Sequence, residues 1–466
     1  MRRRLMRTAV RARAALPVQR RHEQRGPTSD SMHNAAVMRW DSVAMGVVNT
    51  ASTYLPVLIA RLGGSAFAIG LLTAIPAVAG FALAIPIGHY LQRRGNAVVW
   101  YSVARFVANL TYVLIAVTIV VAPREVAVPI IIAIWALAAV PSTMGMVLFP
   151  IVMDGAAGPH GRLELMSRRW SYMGLTTAIA VSIIGQFLDR IPFPLGYAIV
   201  FASVTMAGIA SYYFSRQFRI PAVVIPPAGE PPGSIRDRLR KAVALIRGQS
   251  AFLHYSVRQL VYVSGTRLVM PLIPLYYVTT VRAPDAWIGI IATGQSLALL
   301  AGYQFWRRQS RLRGTRILLL IAMLAASLYP AALSLTDQLI VVAALTTVAS
   351  FFIAGVDLIL FDELMRTVPR AYGVTFAAID TTLVNMATVV TPLAGAAIAG
   401  FLGIELALRF GALVSLAGVV LFVQAARRRA SDTPPSPPSA SWQPPLAGPA
   451  PAGPSGPADA PTGPST

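Results

Sequence analysis

The chain has 466 residues, 55% hydrophobic and only 12% charged, with a mean hydropathy of +0.61. Soluble domains carry about a quarter of their residues charged, so this composition excludes one. With no cysteine, disulfides, thiolate metal sites and cysteine nucleophiles are also excluded, and five scattered histidines without ligand spacing give no metal centre.

Residues 1–38 begin with "MRRRLMRTAVRARAALPVQRRHEQRG", which is rich in arginine and nearly free of acids. It lacks the long apolar core of a secretory signal and reads as a basic arm. Twelve apolar segments follow, near 40–60, 67–91, 97–121, 128–153, 168–189, 195–215, 251–278, 286–306, 315–335, 338–361, 373–400 and 403–425. Most are about 20 residues long, enough to cross a hydrocarbon core of ~30 Å as a helix. Each must satisfy its own backbone in lipid, and none shows the short alternating pattern of barrel strands. The expected class is an all-α polytopic membrane protein with twelve transmembrane helices.

Most of the 40 basic residues fall in the two tails and the even-numbered loops. Odd-numbered loops hold only Arg61, Arg124, Arg190 and Arg282, with Arg409 near the start of the last segment. The positive-inside rule then puts both termini in the cytoplasm of a cell's inner membrane. The net charge of +22 is accounted for by topology and anionic lipid, not by nucleic acid.

Between segments six and seven, residues 217–250 form a linker. Its "SIRD" offers a capping box, and Ile235, Leu239, Val243 and Ile246 share one face, as in a helix lying at the membrane surface. The linker separates a six-segment half at 39–216 from another at 251–426. Residues 427–466, rich in Pro, Gly, Ser and Ala, hold too little apolar mass for a core and read as disordered.

The halves repeat each other. "VMDGAAGPHGRLELMS" carries Asp154 and Arg162, and "LFDELMRTVPRAYGVT" carries Asp362 and Arg370 at the same spacing in the corresponding loop. "GHYLQRRGN" after segment two, with Gly88, Arg93, Arg94 and Gly95, is echoed after segment eight by Gly302, Arg307 and Arg308. With this layout the chain resembles the major facilitator superfamily over residues 38 to 426. That family's loop between helices two and three carries G-x-x-x-D-[RK]-x-G-[RK]-[RK]. Gly88, Arg93 and Gly95 match it, while Gln92 replaces its Asp and Asn96 a basic residue.

The resemblance implies two six-helix bundles that rock about a central site and carry a small solute by alternating access. It also implies a cytoplasmic gate at Gly88, Arg93, Arg94, Gly95, Asp154, Arg162, Asp362 and Arg370. The competing reading is that these charges simply keep their loops inside.

Ionisable groups within spans cost about 2.5–3.5 kcal/mol unless paired or hydrated, so they mark function or helix pairing. Asp41 opens segment one, where Met45, Asn49 and Ser52 share its stripe. Arg105 lies in segment three, Arg258 and Arg267 in seven, Asp357 in ten and Asp380 in eleven. Because the family lines its cavity with helices one, four, seven and ten, Asp41, Asn49, Arg258 and Asp357 are expected on the substrate or proton path. Asp380 joins them from a helix that closes the halves. A carboxylate in a dry cavity holds its proton more tightly, so Asp357 and Asp380 are the candidate proton carriers. Arg105 and Arg267 are the candidates for buried ion pairs, and static pairing remains the alternative for the two acids as well.

No P-loop, metal set or nucleophile–base cluster points to an ATPase or an enzyme, and no cofactor is implied. The expected function is proton-coupled secondary transport by a monomer, with export the favoured direction and with protons, a small molecule and the bilayer as partners. The alternative is a non-transporting membrane sensor or scaffold. Arg258 and Arg267 would suit an anionic cargo.

Overall fold

A computed structural model describes residues 29–92, 96–220, 250–313, 315–367 and 373–431. Among these there is no strand. The helices are α1 (Ser29–Val48), α2 (Ala51–Arg61), α3 (Ala66–Gln92), α4 (Ala97–Val121), α5 (Arg124–Arg190), α6 (Leu195–Ser215), α7 (Ser250–Val269), α8 (Leu272–Thr279), α9 (Asp285–Arg313), α10 (Thr315–Leu333), α11 (Leu339–Thr367), α12 (Gly373–Leu402) and α13 (Ile404–Ser431). Residues up to Val423 form one compact unit, described here; those from Gln424 belong to a second. Residues 1–28 of the basic arm, the linker helix and residues 432–466 of the Pro-rich tail lie outside the described residues, as do Arg93, Arg94, Gly95 and Arg370. Residues 29–38 of the expected arm instead open α1, and residues 427–431 of the expected tail continue α13.

Ten helical stretches among the described residues are long and apolar enough to span a membrane. The shorter apolar helix Ile317–Leu333 and the α7–α8 pair occupy the places of expected segments nine and seven. Three local features differ from the sequence expectation.

The loop expected after segment four is helical, so that α5 carries two spans, Arg124–Ala157 and Leu165–Arg190. Gly145 and Arg169 both reach the surroundings of Arg105, the first by packing on its Cγ and the second through their shared partner Asp41. In a straight helix they would stand about 36 Å apart. The helix therefore folds back between its spans, over a stretch that includes Gly155, Gly158, Pro159 and Gly161, residues that tolerate such bending.

Segments one and seven are each broken. Pro271 lacks the N–H that would continue α7 and biases Met270 away from helix, so α8 restarts at Leu272. The break between α1 and α2 falls at Asn49 and Thr50. There the backbone tightens to Thr50 N–H donating to Val47 O (3.1 Å) and Ser52 N–H to Asn49 O (3.1 Å). The Thr50 and Ser52 hydroxyls donate to the same two carbonyls, each at 2.6 Å. Both breaks follow a helix of 20 residues.

The packing divides by depth. One apolar core joins residues that flank the odd-numbered loops of both halves, including Tyr54, Ile69, Leu188 and Phe201 from the first and Leu272, Tyr276, Ile288 and Leu408 from the second. Near the even-numbered loops there are two separate cores. Met38, Leu91, Tyr101, Val152 and Phe218 build one from the first half alone; Phe252, Tyr255, Trp306, Met323 and Phe422 build the other from the second. The halves are thus packed together at the odd-loop end and packed independently at the even-loop end.

Candidate functional site

The helix breaks fall between the shared core and the two separate cores. Beyond them α2 and α8 pack on each other, while α1 and α7 run into the separate cores. Asn49, Ser52 and Met270 are exposed at the breaks. Half-buried Arg267 stands one turn before the second break, and its Nη1 lies 3.7 Å from Met270 Sδ. Paired interruptions in corresponding helices of two repeats are the usual structural pointer to a midplane solute site.

Asp41 lies elsewhere. It is fully buried among α1, α4, α5 and α6. Its carboxylate receives Arg105 Nη1 at 3.1 Å, Arg169 Nη1 at 2.9 Å and the Ser211 hydroxyl at 2.7 Å. Arg105 also donates to Tyr101 Oη (2.9 Å) and Ser211 Oγ (2.6 Å). One carboxylate faces two guanidinium groups, so these three residues carry a formal charge of +1. Aromatic faces offset part of that surplus: the Arg105 Cζ sits 5.0 Å from the Tyr101 ring centre, and the Arg169 Cζ 5.1 Å from that of Phe149. The arrangement holds four helices of one half together.

In the second half, Arg258 turns towards α13, with its Cζ 5.4 Å from the Phe422 ring centre and its Nε donating to His254 O at 2.6 Å. Asp357 is exposed on α11, and the Tyr303 hydroxyl of α9 donates to it at 3.4 Å. Asp380 is buried, and Gln259 Nε2 of α7 donates to it at 3.2 Å. The two acids therefore sit in different surroundings. Of the expected gate, Gly88 is half-buried in the last turns of α3 and Asp154 is exposed on α5. The side chains of Arg162 and Asp362 lie outside what is described.

At the odd-loop end each half supplies a carboxylate to the other. Asp285, first residue of α9, receives Arg61 Nη2 at 2.8 Å and the Tyr197 hydroxyl at 2.7 Å. Arg61 also donates to Ala283 O at 2.9 Å. In return Asp189 of α5 accepts the Ala286 N–H at 3.2 Å, at the start of α9. Next to this latch α5 and α9 nearly touch: a Cβ on Gly289 would stand 2.9 Å from Val181 O, and one on Gly185 would stand 2.7 Å from Asp285 O. A cavity of 720 Å³ opens outward here, with Arg61, Leu188 and Arg190 on one side and Val278 and Pro284 on the other.

Arg169, Arg61, Asp285, Tyr197 and Gln259 are absent from the sequence-derived site. Arg168 and Arg169 are adjacent at the start of the second span of α5, yet Arg168 is exposed and Arg169 only 5% exposed. Leu165, Met173 and Thr177 at fourfold spacing are the one signal that Arg169 faces inward.

No protein-family model matches the chain, and no curated protein matches it in sequence. Solved structures do. A mutant of the nucleoside transporter NupG superposes with a TM-score of 0.67 at 11% identity, covering 84% of this chain and 99% of that one. A bacterial homologue of the iron transporter ferroportin in an inward-facing state gives 0.63 at 14% identity, covering 84% and 98%. A bacterial homologue of the human lysosomal transporter Spinster, also inward-facing, gives 0.56 at 13%, covering 88% and 100%. Identities this low speak for architecture, and the architecture of this chain is the major facilitator fold, that of a multi-pass membrane protein.

Proposed function

We propose that the chain is a secondary transporter that moves a small solute across the cytoplasmic membrane by alternating access, with the even-numbered loops and both termini in the cytoplasm. The observation that carries this reading is the depth-divided packing: one shared core at the odd-loop end, two independent cores at the other. Such halves can rock about the helix breaks without unpacking internally. The form described is then the inward-open one, with a cleft between the halves at the even-loop end, and cargo binds where Asn49, Ser52, Arg267 and Met270 meet it. The 39–216 and 251–426 halves are the rocking bodies.

Proton exchange for outward-moving cargo is the coupling we assign, with Asp357 as carrier. An exposed carboxylate within a span, bonded among the described residues through one long contact to Tyr303, can gain and lose a proton as the open end changes sides. The test uses inside-out vesicles with an imposed pH gradient, a pH-sensitive dye and pooled compounds. Nucleosides come first, since one neighbour in fold carries them. A pool should discharge the gradient only with the protein, and Asp357→Asn should abolish the response. Discharge untouched by that substitution would remove Asp357 from the pathway. Silence from every pool with folded protein would contradict proton exchange.

A further inference from the structure

Asp380 and Gln259 meet between α7 and α12, Ser256 stands one turn before Gln259 on α7, and the hydrogen bonds of this group do not close among the described residues. Asp380, Gln259 and Ser256 are 8%, 7% and 6% exposed. Gln259 donates Nε2–H to Asp380 Oδ2, yet its own Oε1 has no hydrogen-bond partner among the described residues. Ser256 sits three residues earlier, on the same face of α7, and its Oγ also has none. The neighbouring polar groups are directed elsewhere: the Tyr255 hydroxyl donates to Leu360 O at 2.8 Å, and Arg258 lies over Phe422. Buried polar atoms in native proteins are almost always satisfied, so two orphans on the face of α7 that supplies Gln259 to one carboxylate need an explanation.

Their chemistry is uniform. A carboxylate, an amide oxygen and a hydroxyl oxygen form a hard-oxygen donor set with one formal negative charge. Divalent ions of this hardness take six or more oxygens, commonly with several carboxylates. A monovalent ion instead neutralises a single carboxylate. We propose that Asp380, Gln259 and Ser256 bind a sodium ion between α7 and α12. On binding, the Gln259 amide turns so that Oε1 faces the ion together with Asp380; an amide's orientation follows its partners. The site goes beyond the transport reading and leaves Asp357 as the proton carrier; its occupancy is measurable without any cargo.

The test is the thermal stability of the full chain in lipid nanodiscs, in sodium, lithium, potassium or choline chloride at one ionic strength and at two pH values. Wild type should be stabilised saturably by sodium over potassium and choline at both. Ser256→Ala should raise the sodium concentration needed by about tenfold, and Asp380→Asn should lose the response. If Asp380→Asn does not fold, Gln259→Leu takes its place, and it too should lose the response. Equal stability in all four salts would overturn the proposal, as would a sodium response unchanged in both Ser256→Ala and Gln259→Leu. Stability that follows pH but not sodium would assign the site to a proton and overturn it equally.

Discussion

Asp41→Ala should destabilise the protein by about 3–5 kcal/mol, the cost of leaving buried charge without its counter-ion. The reason is the imbalance already present. Asp41 is the acid that Arg105 and Arg169 share, and none of the three is more than 9% exposed. Its removal leaves two guanidinium groups facing each other in a medium of low dielectric. Arg169→Met should be far milder, within about 1 kcal/mol of wild type. It leaves a neutral Asp41–Arg105 pair still bonded to Ser211, and Arg169 Nε already lacks a partner. Combining Asp41→Leu with Arg105→Met and Arg169→Met should recover most of the loss, because it removes the charges together. Denaturant or thermal unfolding in detergent measures all three, and an Asp41→Ala protein as stable as wild type would contradict the arrangement.

The second large effect concerns the latch. Asp285→Ala removes an ion pair and a hydroxyl bond that join the halves only while the odd-loop end is shut. Charge-assisted bonds of this kind contribute about 2 kcal/mol, enough to shift a two-state equilibrium about thirtyfold. Gly289→Leu should act in the same direction by a different cause. Its Cβ would press on Val181 O, and the rest of the side chain has no space between α5 and α9. A cysteine placed at buried Ala60 reports both changes through its reaction with a membrane-impermeant thiol reagent. Since the chain has no cysteine of its own, the signal comes from one site. Labelling should accelerate about thirtyfold in Asp285→Ala and markedly in Gly289→Leu. Unchanged rates would mean that the latch does not hold the closed end.

Much of the architecture was legible because lipid leaves few choices. Twelve apolar runs, their lengths and the repeat of Asp154–Arg162 in Asp362–Arg370 lead to the fold that the structural neighbours share. The features that escaped are those decided by partners distant in sequence. Arg61 read as a lone odd-loop arginine, and nothing near it announces Asp285, its partner in the other half. Asp41 and Arg258 looked alike, as single charges in helices that ought to line a cavity. Which face of the helix meets a neighbour decides that Asp41 pairs within the first half and that Arg258 lies over Phe422, and that depends on the packing of α5, α6 and α13. Pro271 signals the break in segment seven. The matching break at Asn49 contains no proline, with Pro56 arriving only seven residues later. The helical crossing from span four to span five ran against the turn residues in its sequence, which bend α5 there instead of ending it.

The central claim is that two rigid halves exchange which end is open. Pairs of spin labels on introduced cysteines test it most directly: Met32 with Leu253 at the even-loop ends, and Ser65 with Arg282 at the odd-loop ends. All four positions are exposed. Alternating access predicts two distance populations for each pair, with the first shortening as the second lengthens, and with Asp285→Ala raising the share of the outward-open form. A single unvarying distance for both pairs, in wild type and in Asp285→Ala alike, would contradict it.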